Sequence, residues 1–460
     1  MFFEDIRSER QLMEVAADRL SIRWYLGYDL HEPLPDHSSL TKIRERYGLE
    51  IFRGFFERIG ELCVEAGLVR GEELYFDSTK VEANADIDSL ASRFLVETHL
   101  SGLFEESSIP EGGLSEPSAG TEPETLPTSE DAALIGVNAA KSDWISRAGK
   151  QERSFSSGGR QRTSDSRVSR TDPDATPMIA GEGGEAKLGY QTHYVVDGGK
   201  ARVILNVLVT PSEVTENRPM LDLLWNTIFR WRIRPRQVTG DAKYGTRQNV
   251  AALEKAGVRA YVAIPNFDFR DTGLFGPGHF RYDPENDRYL CPAGRTLHSQ
   301  SEDRHNRRKR YRAKPSICNA CELKAKCTTS DHGRMLYRPF EEDFYDRVRA
   351  YRGTLAYEKA MRKRSVWVEP LFAEAKEWHG MRRFRLRRLE KVNKEALLIA
   401  SGQNVKRLLA FGGRRPKKPA RAAALRPPAA PGYEIRRARE HRSRHSWQPT
   451  RAFFNTLGRF

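Results

Sequence analysis

Three stretches of this chain carry an acidic residue where a strand or helix would hold it in place. Leu74 to Glu82 reads Leu-Tyr-Phe-Asp-Ser-Thr-Lys-Val-Glu. Its aromatic and β-branched residues predict a strand. Asp77 in the middle then needs a partner, because a carboxylate buried alone is costly. Arg236 to Tyr244 reads Arg-Gln-Val-Thr-Gly-Asp-Ala-Lys-Tyr and places Asp241 at a strand end. Val366 to Lys376 reads Val-Trp-Val-Glu-Pro-Leu-Phe-Ala-Glu-Ala-Lys and places Glu369 near a helix start. Carboxylates are the hard oxygen ligands that Mg2+ and Mn2+ prefer. Two such ions about 4 Å apart can activate an attacking hydroxyl and stabilise the leaving oxygen in phosphoryl transfer. Spacing alone (241 − 77 = 164; 369 − 241 = 128) does not select these three from 62 acidic residues.

A second constellation is made of thiols. Cys291 is followed by Cys318, Cys321 and Cys327, the last three spaced Cys-x2-Cys-x5-Cys. Four thiolates suit tetrahedral zinc. Four reduced, unligated cysteines fit the same spacing, and both readings stand. Cys63, among apolar residues at helical spacing, reads as a core residue.

The elements that must carry these groups follow from periodicity. Residues 1–70 read as a small all-helical domain, with Leu12, Val15, Ala16, Leu20, Ile22 and Trp24 on one face and Ile51, Phe52, Phe55, Phe56, Ile59, Leu62 and Cys63 on another. Leu90 to Phe104 is expected to be a helix. Residues 105–185 are poor in apolar residues and read as a largely disordered insertion, basic in its second half. Tyr190 to Val196 alternates as a half-buried strand would, Asp197-Gly-Gly is a hairpin turn, and Ala201 to Thr210 is a second strand. A helix over Asn217–Trp231, a strand over Gln237–Asp241, a helix over Arg247–Ala256 and a strand over Arg259–Ile264 complete a mixed sheet with flanking helices, an α/β domain. Residues 265–340 interrupt it as a cysteine-rich insertion, and residues 341–410 return to helix.

Composition points to the partner. The 460 residues carry a net charge of +15, which favours a polyanion, nucleic acid first. Arg364, Lys376, Arg382, Arg383, Arg385, Arg387 and Arg388 crowd around the glutamate helix. The segment 411–460 reads as a basic disordered tail, with 13 Arg or Lys against two Glu after Phe411 (13 − 2 = +11). No apolar run is long enough for a membrane helix. An odd cysteine count in a long chain fits a reducing cytoplasm better than a disulfide framework.

Several motifs in fixed order resemble those of bacterial insertion-sequence transposases of the DDE class. Ser8-Glu-Arg-Gln-Leu, Arg23-Trp-Tyr-Leu-Gly-Tyr-Asp-Leu and Pro35-Asp-His-Ser-Ser-Leu are similar to their helical N-terminal domain. Tyr75-Phe-Asp-Ser-Thr-Lys-Val, Gly240-Asp-Ala-Lys-Tyr-Gly and Val368-Glu-Pro-Leu-Phe resemble their three catalytic motifs. Ser169-Arg-Thr-Asp-Pro-Asp-Ala and Gly189-Tyr precede the hairpin as in relatives. The resemblance covers roughly residues 5–410. It implies a ribonuclease H-like catalytic domain over 71–410, with Asp77, Asp241 and Glu369 as catalytic, metal-binding residues for Mg2+ or Mn2+. It also implies DNA contacts by Lys376 and Arg364, joined by Arg382 and Arg383 from the basic cluster. The expected activity is DNA cleavage at insertion-sequence ends and strand transfer into target DNA. The expected partners are terminal inverted repeats and target DNA, the expected assembly a homodimer on paired ends, and the expected place the bacterial cytoplasm, with the nucleoid. Two other readings compete: a catalytically inactive or domesticated DNA-binding derivative, and a metal-dependent nuclease that cuts without joining.

Overall fold

Most of the predicted periodicities become elements in the computed structural model of the chain, which describes residues 6, 8–92, 167–179, 184–264 and 273–412. The basic tail, most of the first insertion and nearly all of the helix expected over Leu90–Phe104 lie outside the described residues. The described part of that helix, Leu90–Ser92, is a short strand instead. The described residues fall into two compact units, one of 1–70, 78–215 and 369 onward, the other of 71–77 and 216–368. The strand β1 (Glu73–Glu82) is divided between them after Asp77.

The first unit opens with four helices, α1 (Glu9–Asp18), α2 (Leu20–Leu26), α3 (Ser38–Arg46) and α4 (Leu49–Glu65). Ser8 caps α1 by accepting the Gln11 N–H, which satisfies one of the helix's orphan donors. Gly27 ends α2 at φ +80°, a left-handed position that suits glycine. α4 buries Phe56, Ile59 and Cys63, and the Cys63 thiol lies 3.9 Å from the carbonyl of Asn404. Burial pushes that thiol up to about 11, so it is an inert core group.

Four strands follow: β2 (Leu90–Ser92) pairs with β3 (Arg167–Ser169), and β4 (Thr176–Ile179) pairs with β5 (Ala186–Asp197). Residues 167–179 were expected inside the disordered insertion. They are ordered because Ser169, Asp172 and Asp174 bind backbone: Asp172 accepts the Arg388 N–H at 2.9 Å and Asp174 the Leu389 N–H at 2.8 Å. Those two donors open the helix α12 (Leu389–Phe411), where a carboxylate also meets the helix dipole.

β5 and β6 (Ile204–Pro211) form the expected antiparallel hairpin. The alternation expected of β5 is absent from its burial, since every residue from Leu188 to Asp197 is buried. Polar side chains on it are covered as well as apolar ones. His193 is one: its Nε2 lies 3.0 Å from the Thr210 hydroxyl, and burial lowers its pKa to about 3. The unfolded chain therefore binds more protons than the folded one from about pH 6.5 downward, and stability falls as pH drops through that range, by up to about 1.4 kcal/mol per pH unit. Chemical denaturation at pH 6.5 and pH 5 should show this loss, and His193→Gln should shrink it. An unchanged pH slope in the variant would remove His193 as the cause.

α12 is buried around nearly its whole circumference, polar residues included. Its asparagines explain why. Asn393 accepts the Val209 N–H at 2.8 Å and donates to the Val209 carbonyl at 3.0 Å. Asn404 does the same to Ile204, at 2.9 and 2.8 Å. Each side-chain amide thus pairs with β6 as the backbone of a neighbouring strand would. The spacing fits: eleven helical residues (404 − 393) rise about 16.5 Å, and five strand residues (209 − 204) span about 16.5 Å.

The second unit pairs Glu73, Leu74 and Tyr75 of β1 in parallel with β7 (Gln237–Gly240), and β7 in parallel with β8 (Arg259–Val262). Parallel neighbours need crossover connections. Helix α5 (Met220–Trp231) leads into β7, and α6 (Arg247–Lys255) joins β7 to β8. The cysteine-rich region, expected as an interruption, is a five-stranded antiparallel sheet in order: β9 (Arg281–Asp283), β10 (Arg288–Leu290), β11 (Thr296–Asp303), β12 (Arg308–Arg312) and β13 (Met335–Pro339). It has its own small core of Phe280, Tyr289, Leu297, Tyr311, Ala313 and Leu336. Two short helices, α7 (Pro315–Asn319) and α8 (Lys324–Cys327), sit between β12 and β13, and α9 (Glu342–Tyr351) and α10 (Leu355–Lys363) follow.

Candidate active site

β1 is buried from Leu74 to Asp77, as a strand flanked on both sides must be. Its register against β7 aligns Tyr75 with Thr239. Two residues further along each parallel strand stand Asp77 and Asp241 (77 − 75 = 241 − 239 = 2). Neighbouring strands lie about 4.8 Å apart, so the two carboxylates emerge side by side at the same end of the pair. The Gly240-Asp-Ala-Lys-Tyr-Gly motif turns the chain there. Asp241 accepts the Lys243 N–H at 2.9 Å and caps a short 3-10 turn. Tyr244 folds back over Gly240, where a Cβ would stand 2.8 Å from its ring. Gly245 approaches the Ala263 carbonyl so closely that a Cβ would lie at 2.6 Å. Thr246 then caps α6 by accepting the Asn249 N–H.

Two basic side chains face these carboxylates. Arg364 Nη1 lies 3.6 Å from Asp77 Oδ2, the partner that the buried position demands. Lys243 bonds Glu216 Oε1 at 2.6 Å. That bond first, and then the charges of Glu216, Asp241 and Asp77, raise the Lys243 pKa against the cost of burial. Asp77 and Asp241 thus both lie within electrostatic reach of one cation, as the register implies. Cations already drawn to hard carboxylate oxygens show the donor type and charge that Mg2+ or Mn2+ requires. Glu216 was missed in the sequence; it follows β6 in a stretch with no motif to single it out.

Glu369 belongs to the other unit, as the exposed first residue of α11 (Glu369–Trp378). A π-helical turn, Arg364–Val368, runs directly into it along the chain. Such turns cost stability and gather at functional positions. Among the described residues no group of three or more His, Cys, Asp or Glu side chains is closed to metal-holding distance.

The remaining basic residues divide by partner. Lys376 donates to the Thr79 hydroxyl at 2.7 Å, two residues past Asp77 on β1. Burial, then the charge of Arg382, lowers its pKa. Arg382 to Arg388 were expected in a helical region and instead form a connection of turns and bends with one bridge residue, Arg383. Phe384 N–H bonds the Glu82 carbonyl at 2.9 Å there, so the segment continues beside β1. Arg382 pairs with Glu377, and Arg385 with Glu395 at 3.5 Å. Arg383 bonds neutral groups, the Ala83 carbonyl at 3.1 Å and the Asn84 side chain at 3.4 Å, which orient its guanidinium without neutralising it. With Arg10, His37 and Arg44 it lines an open cavity of about 770 Å3 in the first unit.

The four clustered cysteines line one cavity in the second unit. Cys291, Cys318 and Cys327 pack against the small core of the five-stranded sheet.

Comparison with known families places this chain. Residues 290–409 match the family described as "Transposase DDE domain", and residues 1–46 match "Transposase domain (DUF772)". Both matches support an insertion-sequence DDE transposase, a class whose substrate is DNA. No curated protein and no solved structure is similar enough to match. No helix among the described residues is long and apolar enough to cross a membrane.

Proposed function

We propose that this transposase cuts DNA at the ends of its insertion sequence and joins the freed 3′-hydroxyl to target DNA, using Asp77, Asp241 and Glu369. The observation that carries the reading is the side-by-side emergence of Asp77 and Asp241 from parallel strands, in a chain that matches the DDE family. Glu369 joins them on its motif and its place at a helix start. The parallel β1, β7 and β8 and the antiparallel β5–β6 hairpin support a ribonuclease H-like sheet. The three carboxylates would hold Mg2+ or Mn2+, which when bound lowers the cost of forming a hydroxide nucleophile and of releasing an alkoxide.

The chain's own residues prepare the substrate. Arg364 orients the Asp77 carboxylate, and the cap on Lys243 N–H fixes that of Asp241. Lys376, held by Thr79, sets a cation beside the carboxyl end of β1 for a phosphate near the cut. Arg383 and its neighbours in the 770 Å3 cavity take up the backbone further along. Two chains acting on paired ends complete the reaction. The test is incubation with the flanking repeats and Mg2+, followed by mapping of ends and of joined products. DNA binding without cleavage in either Mg2+ or Mn2+ would sink the catalytic reading; cleavage without joining would reduce it to a nuclease.

The basic cavity gives a separate expected outcome. Each phosphate contact contributes about 0.9 to the slope of log affinity against log salt. Arg383→Ala should lower that slope by roughly 0.9 and weaken binding alike on repeat-containing and random duplexes. A slope unchanged in titrations from low to moderate salt would take Arg383 out of the DNA path. Point substitutions are the proper tool here, because α4 is packed into the first unit and removing residues 1–70 would uncover its core.

A further inference from the structure

Four of the five cysteines are neither surface thiols nor core residues. Cys63 is fully buried in an apolar setting, whereas Cys291, Cys318, Cys321 and Cys327 are half-buried and face a common cavity. They arrive from separate places: the turn after β10, α7, the turn between α7 and α8, and the end of α8. Four separate points of the chain thus bring a thiol to one cavity.

The backbone around them aims donors at two of the sulfurs. The Arg295 N–H donates to Cys291 Sγ at 3.3 Å, across a turn that Gly294 closes at φ +73°. The Arg334 N–H donates to Cys318 Sγ at 3.5 Å. Backbone amides aimed at sulfur are the outer-shell donors that a metal-bound cysteine uses. Arg295, Lys324 and Arg334 also line the cavity, so cations surround the position. A divalent ion with four thiolates has a net charge of −2 (2 − 4), which these cations offset. The cavity is about 20 Å3, room for a single water-sized body.

We propose that Cys291, Cys318, Cys321 and Cys327 hold one Zn2+ in tetrahedral coordination. The thiols share the cavity wall but, among the described residues, are not closed to metal-holding distance; binding would draw them onto the ion. Four thiolates leave no open position for water, so the ion is structural and takes no part in DNA chemistry. Its role is to staple α7 and α8 to a sheet whose own core is only six buried residues. The proposal is independent of the DNA chemistry proposed above, and its test does not read activity.

The test starts with the full-length chain, expressed with zinc supplied and desalted without chelator. Elemental analysis should find about one zinc per chain. Replacement by Co2+ should give the intense visible absorption of tetrahedral cobalt together with a sulfur-to-cobalt charge-transfer band. Cys321→Ser should cut retained zinc at least about fivefold, while Cys63→Ser, at the thiol outside the site, keeps it. Wild-type protein with no zinc and no tetrahedral cobalt spectrum overturns the proposal, whatever the variants do. Zinc that survives Cys321→Ser undiminished, or that leaves with Cys63→Ser instead, also overturns it.

Discussion

Asp77→Asn and Asp241→Asn should each lower cleavage of repeat-containing DNA by well over about a hundredfold, the upper end of what losing a mere outer-shell partner costs a metal site. The amide is nearly isosteric with the carboxylate but carries no charge, so it cannot neutralise a divalent ion. Asp77 stands within β1 and Asp241 just past β7, and an amide of the same shape can still accept the Lys243 N–H, so the fold should survive. DNA affinity should change little, because the phosphate contacts proposed above lie on other residues. The comparison is between a cleavage assay and a binding titration on the same substrate. If either variant cuts at near wild-type rate, that residue is not a ligand. If cleavage and binding fall together, the defect lies in DNA capture.

The second large effect concerns stability. Asn393→Leu combined with Asn404→Leu should destabilise the first unit by about 4 kcal/mol or more. Each asparagine satisfies one N–H and one C=O of β6. Leaving those four backbone groups buried and unpaired costs about 1–3 kcal/mol each. Leucine is close in volume, so a cavity is not the cause. Guanidinium denaturation followed by tryptophan fluorescence measures the loss. A double variant as stable as wild type would mean that β6 finds other partners.

The strand positions of Asp77 and Asp241 were legible because two short motifs each carried strand formers next to an acid. The half-buried alternation expected of β5 was not, because polar residues such as Gln191, Thr192 and His193 read as solvent-facing and are buried. The five-stranded sheet was hidden by composition. β12 is Arg-Lys-Arg-Tyr-Arg, with only Tyr311 fully inside. Arginines cover the rings instead: Arg338 lies 3.7 Å over Tyr282, and Arg308 3.9 Å over Tyr337. Such a sheet has no apolar run to announce it. α12 showed an apolar side in Leu397 and Ala400, but the use of Asn393 and Asn404 depends on where β6 lies, which periodicity cannot say. Glu216 and Thr79 were illegible for the same reason: each matters through a neighbour distant in sequence.

The asparagine pairing of α12 with β6 also orders events on the ribosome. β6 is complete at Pro211, and the helix that covers its open edge begins at Leu389, 178 residues later (389 − 211). At about 5–20 residues per second, that interval lasts roughly 10–35 s. Throughout it the nascent chain presents an unpaired strand edge rich in Val, Ile and Leu, a template for pairing with any neighbouring chain. A message truncated before Leu389 would leave that edge exposed for good, so shortened products should aggregate or be degraded rather than persist as competitors for the insertion-sequence ends.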